Sequence, residues 1–522
     1  MLEKWGTHRF FFVFSTALIV VSLPVSEFGL SLGIIVLSSN WFVEADFLSK
    51  WKRLKNNVPA LSVLGIYLIH ILWLLNTNNL DYALHDIKIK LPLLAFSVVY
   101  GSSAEIKPKQ KSLILHLYIY SVFAATFLSL LSWKGLWLKG EDFQNSISPF
   151  ISHIRFSLMI VFAIIVALYL SFEKVERWHY LLLVVWLAIF LLLLKSLTGV
   201  IVFVIVLTPL LVWCVKFYKP QVHIKKTLII VLVPLFVIAF FLSLYIQKEA
   251  SIYFSRPEIN INDYPKYTVN GNKYINNTMN KQLENGMYVW HLINWDELER
   301  EWGNRSKVSF WGKDDKGQNI YSTTMRYMTS LSLTKDSLGI SQLTEEDFLH
   351  ITKGYTNYKL TNKLSLYPFL ERIFTEIMAY KKENNPNGLS FLQRMAFAKN
   401  GIYVIKHNVL LGVGTGDVND EIMLSYKHSN TGLYDKYWFR PHNQYVTFTV
   451  AFGLIGLSFV LFFFFVQIRN ALAVKNFLLL FFIAITLLSF LNEDTLETHT
   501  GASFIAFFLT FLIVAKKNEV TT

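Results

Sequence analysis

Twelve apolar stretches punctuate this chain, near residues 10–23, 27–43, 58–76, 91–103, 111–132, 153–171, 178–194, 197–215, 226–246, 444–467, 475–490 and 501–515. They leave few fold classes open. A hydrocarbon core about 30 Å thick takes roughly 20 apolar residues per helix, fewer where neighbours bury the ends. Inside that core the backbone must satisfy its own hydrogen bonds, which favours helices over open strands. The expected fold is an all-α polytopic membrane protein with about twelve transmembrane helices, the first two separated by Pro24. Only 16% of residues are charged, against about 25% in soluble domains.

The basic residues test the span count. Lys50, Lys52, Arg53 and Lys55 fall on one side, followed by Lys107, Lys109 and Lys111, then Lys174 and Arg177, then Lys216, Lys219, Lys225 and Lys226, then Arg469 and Lys475, and finally Lys516 and Lys517. Positive charge concentrates on cytoplasmic loops, so both termini are expected in the cytoplasm. The net charge of +13 is spread over these short runs and forms no single face for nucleic acid. The apolar run behind Lys4 and Arg9 imitates a signal peptide without a small-residue cleavage site, and is expected to remain as the first helix. The single cysteine, Cys214, excludes an intramolecular disulfide.

The same topology places one large polar segment, 247–441, in the periplasm. The domain reading is an N-terminal membrane domain at 1–246, a periplasmic insert at 247–365, a helical periplasmic loop at 366–441 and C-terminal membrane helices at 442–522. The insert is rich in Asn, Asp, Gly and Lys, with Trp290, Trp295, Trp302 and Trp311 to build a small core. Helices are expected at 296–302 and at 345–352, the latter capped by Thr344. Helical spacing of apolar residues also marks 367–382 and 390–406, separated by the breaker at 384–388.

Chemistry concentrates where the polar segment meets the tenth apolar stretch, in Arg440-Pro441-His442-Asn443-Gln444-Tyr445. A neutral histidine at a membrane surface can serve as a general base toward a hydroxyl; the plain alternative is a helix-capping residue. Gly453 and Gly456 leave small surfaces for close packing behind it. Arg155 and Lys195 stand on the non-cytoplasmic side, where cations are disfavoured, although cations at span ends commonly snorkel to headgroups. With Arg394, Arg440 and Lys90 they can surround a diphosphate, since guanidinium groups match phosphate oxygens and can stand in for a divalent metal behind a diphosphate leaving group. Asn443, Glu493 and Asp494 can orient an arginine or an acceptor hydroxyl, and no metal site or cofactor is expected from them. The glycines of 407–417 read as tight turns, because no Lys-Ser or Lys-Thr follows as in a phosphate-binding loop.

His442-Asn443, followed after nine residues by Gly453 and Gly456, resembles the histidine-asparagine signature of bacterial O-antigen ligases, and Asn492-Glu493-Asp494 through Gly501, with the stretch from Arg394 to Gly416, is similar to the form this family takes in many Bacteroidetes-type sequences. Twelve spans with a large loop between the ninth and tenth are similar to that family's layout. The resemblance implies a membrane glycosyltransferase that takes a glycan from undecaprenyl diphosphate and passes it, with inversion and without metal, to a hydroxyl of the lipid A core. It implies His442 as the activating base and Arg394 as a diphosphate clamp. Where many members carry an arginine after the seventh span, this chain has Lys195, which lacks a bidentate fork. O-antigen polymerases and protein O-oligosaccharyltransferases resemble the same pattern. A lipid-linked-glycan flippase is the alternative from another class, and the long polar segment and lack of matched broken helices weigh against it.

Overall fold

The computed structural model describes residues 2–137, 147–173, 178–218, 224–256, 258, 263–362, 365–383, 386–429 and 431–514. Of the basic runs, Lys174, Arg177, Lys219, Lys516 and Lys517 lie outside the described residues. In chain order the helices are α1 (Leu2–Ser22), α2 (Glu27–Glu44), α3 (Phe47–Lys55), α4 (Val58–Leu72), α5 (Leu80–Ile89), α6 (Leu91–Ser102), α7 (Pro108–Trp133), α8 (His153–Glu173), α9 (Trp178–Leu193), α10 (Leu197–Tyr218) and α11 (Ile224–Phe254). Then come α12 (Trp295–Arg305), α13 (Ile320–Ser330), α14 (Ser337–Ser341), α15 (Glu345–Thr352), α16 (Tyr367–Glu383), α17 (Ser390–His407), α18 (Val418–His428), α19 (Gln444–Ala473), α20 (Phe477–Ser489) and α21 (His499–Val514). Among the described residues the only sheet is the hairpin of β1 (Leu283–Glu284) and β2 (Met287–Tyr288).

Each of the twelve predicted stretches overlies a helix. By length and composition four are able to cross a membrane: Val58–Asn76, Pro108–Trp133, His153–Ser171 and Gln444–Ala473. A fifth is the pair α2 and α3, bent by 116°, and six shorter apolar helices accompany them. The first basic run therefore lies on its own short helix, α3, rather than in a loop.

The chain divides into two compact units, Met1–Val231 with Pro386–Thr522, and Leu232–Asn385. In the first, α8 and α21 form the centre: every side chain from Phe156 to Ala167 and from Thr500 to Leu512 is buried. Phe162 meets Phe482 and Phe508 at ring distances of 4.7 Å, and Tyr118 meets Phe508 at 4.7 Å. Outer helices keep apolar faces exposed, as with Leu181, Leu182, Val185, Ile189 and Leu192 of α9. A continuous apolar face of that kind suits contact with lipid.

Helix α19 is broken at Gly453, whose φ of +64° and ψ of −170° are not helical. The 409–414 turn inserts there. The amides of Val413 and Gly414 donate to the carbonyls of Val450 and Ala451, and that of Leu454 to the carbonyl of Val409, each at 2.9 Å. A Cβ on Gly453 would run into the Leu410 carbonyl oxygen. Non-helical backbone is stable inside a membrane protein only where protein groups complete its hydrogen bonds, and these bonds do so. The glycine run at 407–417 is thus a set of tight turns, with Gly412 and Gly414 at φ +67° and +99°.

The second unit has its own core, in which Trp302 packs on Phe348 at 4.9 Å beside Leu298, Phe310, Met328 and Ile351. Several of its helices begin on side-chain caps: the Glu297 amide donates to Asn294 Oδ1 at 3.0 Å, and Thr344 and Asp347 form a reciprocal capping box on α15. The β1–β2 turn is Asn285-Gly286, both with positive φ, as a tight hairpin requires.

Candidate functional site

Asn443 begins the site by capping α19. Its Oδ1 accepts from the Val446 amide at 3.0 Å, and its Nδ2 donates to the Leu491 carbonyl at 2.8 Å. The cap is a positioning device: it occupies the Asn443 amide and ties the start of α19 to the 490–497 loop. One residue earlier, His442 sits at φ +48°, a left-handed conformation that costs a non-glycine residue roughly 1–2 kcal/mol. That conformation turns the ring toward Asp494, with Phe397 of α17 at a ring distance of 5.6 Å.

His442 Nδ1 lies 3.6 Å from Asp494 Oδ1. At that distance the contact is ionic rather than a hydrogen bond, and Nδ1 has no other partner. The Asp494 carboxylate is nevertheless the largest influence on the ring, raising its pKa above 6.5; burial opposes it, Glu493 reinforces it and Arg394 opposes it. Glu493 is buried beside the pair. Burial and the Asp494 charge push its carboxyl up, while His442, Arg155 and Arg394 pull it back. Arg155, at the start of α8, brings Nη2 to 3.6 Å from Glu493 Oε1. The Arg155 Nε and the Glu493 Oε2 are buried without partners. Arg394 of α17 reaches the same loop, donating from Nη1 to Asn492 Oδ1 at 3.2 Å, and Asn492 Nδ2 donates to Thr198 Oγ1 at 2.6 Å.

Thus His442, Glu493, Asp494, Arg155 and Arg394, far apart in sequence, meet around one loop. Lys195 is exposed with φ +53°, in a turn held to α8 by a 2.9 Å bond between Ser196 and Ser157. Arg440 stands apart from them. Its Nη1 donates to Glu497 Oε2 at 2.9 Å and to Tyr82 Oη at 3.3 Å. Lys90 donates to the same Glu497 oxygen at 2.9 Å and to Asp86 Oδ1 at 2.5 Å. Burial alone would raise the Glu497 carboxyl, but Lys90, Arg440 and the Gln444 amide hold it well below the usual range. Burial pushes Asp86 up to about 6 against the pull of Lys90. Reasoning from sequence missed Asp86 and Tyr82; the four-residue spacing of Asp86 and Lys90 on one helix face was the available signal.

His442, Glu493 and Asp494 each bring one possible ligand atom within 4.8 Å of the others, the one such grouping among the described residues. Arg155 and Arg394 already lend positive charge there. A general base, a carboxylate that orients it and two guanidinium groups around an under-bonded polar spot are the parts needed to move a proton from a hydroxyl while an anion departs.

The fold and this site define a helical membrane protein in which a histidine, two carboxylates and two guanidinium groups gather at one polar loop. Residues 364–461 match the family model described as O-Antigen ligase, with Arg394 and His442 both inside the match. Over this stretch, and so for less than half of its length, the chain is similar to the O-antigen ligase family. No curated protein matches the chain as a relative.

Proposed function

We propose that the chain is an inverting, metal-independent glycosyltransferase of the bacterial inner membrane, a ligase that moves a glycan from undecaprenyl diphosphate to a hydroxyl of the lipid A core. The convergence of His442, Asp494, Arg155 and Arg394 on one loop carries this reading. With Nδ1 toward Asp494, the Nε2 of neutral His442 takes the proton of the acceptor hydroxyl. The acceptor oxygen bonds to the anomeric carbon as the bond from that carbon to the phosphate oxygen breaks on the opposite face. The electron pair leaves with the diphosphate, which Arg394 and Arg155 stabilise; Asp494 stabilises the imidazolium. Lys195, exposed on the neighbouring turn, adds charge to the approaching donor. Arg440 serves here as a scaffold cation, and Asn443 as the cap that aims His442. In the accompanying topology all twelve stretches span the membrane, both termini are cytoplasmic and the polar loops that carry the site face the periplasm.

The test is transfer from a lipid-diphosphate-linked glycan to purified lipid A core with chelator present. The expected result is transfer by the wild type, loss in His442→Ala with donor binding kept, and weakened donor binding in Arg394→Ala. Glycan lengthening on the lipid carrier would replace ligase by polymerase. Loss of wild-type activity on chelation, restored by a divalent cation, would assign the His442, Glu493 and Asp494 trio to a metal instead.

A further inference from the structure

The second unit contains a cavity of about 460 Å³, within the range of roughly 300–1,000 Å³ common for small-molecule sites. Most such sites are lined by apolar groups, whereas this lining is predominantly polar. The Asn285-Gly286 turn supplies one wall and α16 another. Gln282, Asn285, Gln318 and Thr356 line the space, together with Tyr253 and Tyr367, and the Asn285 amide is fixed in place by bonds to the Ser330 carbonyl and from Asn357. A lining of amides, hydroxyls and aromatic faces matches a hydroxylated ring compound, which offers many donors and acceptors around an apolar face.

The charges narrow the ligand. Arg256, Lys281, Lys316 and Arg326 line the cavity against only two carboxylates, Glu284 and Glu371. Arg326 is already engaged, donating from Nε to Glu284 Oε1 at 2.6 Å, and Asn357 donates to the other Glu284 oxygen at 3.0 Å. Lys316 donates to the Gly354 carbonyl at 2.9 Å. Arg256 and Lys281 are exposed and, among the described residues, neither is ion-paired. Arg326 and Glu284 are therefore paired at depth, and the surplus positive charge stands at the exposed residues Arg256, Lys281 and Lys316.

We propose that this cavity binds a carboxylate-bearing saccharide of about disaccharide size, with its hydroxyls on the polar wall and its carboxylate at Arg256 and Lys281. The assignment stands on the cavity's own lining and does not depend on the transfer reaction proposed above. Binding is to be measured on the full chain in detergent at low salt, by calorimetric titration, with cellobiouronic acid and with neutral cellobiose as probes. The acidic disaccharide is expected to bind roughly tenfold more tightly, and the Arg256→Ala/Lys281→Ala double variant to lose that preference while remaining folded. His442→Ala is expected to bind as the wild type does, which separates this site from the transfer centre. Equal binding of both disaccharides, binding of neither, or an unchanged preference in the double variant would overturn the proposal.

Discussion

Two groups of buried charge hang from the same short loop, and they are built in opposite ways. Around Glu497 each carboxylate oxygen has donors: Lys90 and Arg440 at 2.9 Å on one, the Gln444 amide at 3.0 Å on the other. Around Glu493 and Asp494 the nearest cations stand at 3.6 Å, and Glu493 Oε2, His442 Nδ1 and Arg155 Nε are buried without partners. Buried polar atoms ordinarily find partners, because leaving one unmade costs about 1–3 kcal/mol. The fully bonded Glu497 carboxylate holds α5, α19 and the loop in register, although Arg440 Nε beside it is buried without a partner; the under-bonded carboxylates of the other group retain more such atoms for something that arrives. Arg440 and His442 are two residues apart and belong to different groups.

The sharpest way to break this comparison is to remove one carboxylate from each group. Glu497→Gln leaves Arg440 buried without its carboxylate and Lys90 with Asp86 alone, and is expected to cost about 3–5 kcal/mol, with activity lost alongside the fold. Glu493→Gln, in the under-bonded group, is expected to leave stability within about 1 kcal/mol of wild type or to raise it, as changes at strained functional sites do. Denaturant unfolding of both variants in detergent decides the matter. Equal losses would make the two groups one scaffold.

Next in size is His442. Removing a general base typically costs 10²–10⁴-fold in rate, so His442→Ala is expected to lose transfer on that scale. His442→Gly removes the same ring and also relieves the φ of +48°, so it is expected to be as inactive yet more stable than His442→Ala by about 1 kcal/mol. If both variants keep full transfer, the under-bonded group has no catalytic part.

The legible features of this chain were those with a local cause. The apolar stretches overlie helices because twenty-odd apolar residues in lipid admit little else, and the Thr344 cap and the helices around 367–382 and 390–406 follow from spacing and capping. The family match at 364–461 agrees with the resemblance read from His442, Asn443, Gly453 and Gly456. What was not legible depends on pairs distant in the chain. Arg440 looked like a companion of Arg394; only folding brings Glu497 and Lys90 to it. Asn443 looked like an orienting group for substrate, and its amide is used as a cap. Gly453 does take the close packing expected of it, from the backbone of a turn some forty residues earlier; what was not legible is the helix break at which that turn inserts. In the insert, the Asn285-Gly286 pair was a readable hairpin signal obscured by the polar sequence around it.

The smaller expected effect is a difference in pH response. His442 titrates above its ordinary 6.5, chiefly because of Asp494, and only the neutral ring accepts a proton. Transfer is therefore expected to rise with pH along a limb centred above 6.5. A folded-state pKa raised in this way adds stability that is fully present below the unfolded value and is lost as pH rises through the folded value. Between about pH 6 and 8 the wild type should thus gain activity while losing a little stability. Asp494→Asn removes the main raising influence, leaving Glu493 to raise and Arg394 and burial to lower. Its activity limb should move to lower pH, its rate plateau should fall because the ring is no longer oriented, and its stability should become flatter over the same interval. The Glu497 group offers the contrast: Lys90 and Arg440 hold that carboxyl ionised throughout this interval, so the stability change of Glu497→Gln should depend on pH only toward the acid end, where its neighbour Asp86 titrates at about 6. Rate profiles and unfolding midpoints collected from pH 6 to 8 test both statements, and an unshifted limb in Asp494→Asn would detach Asp494 from His442.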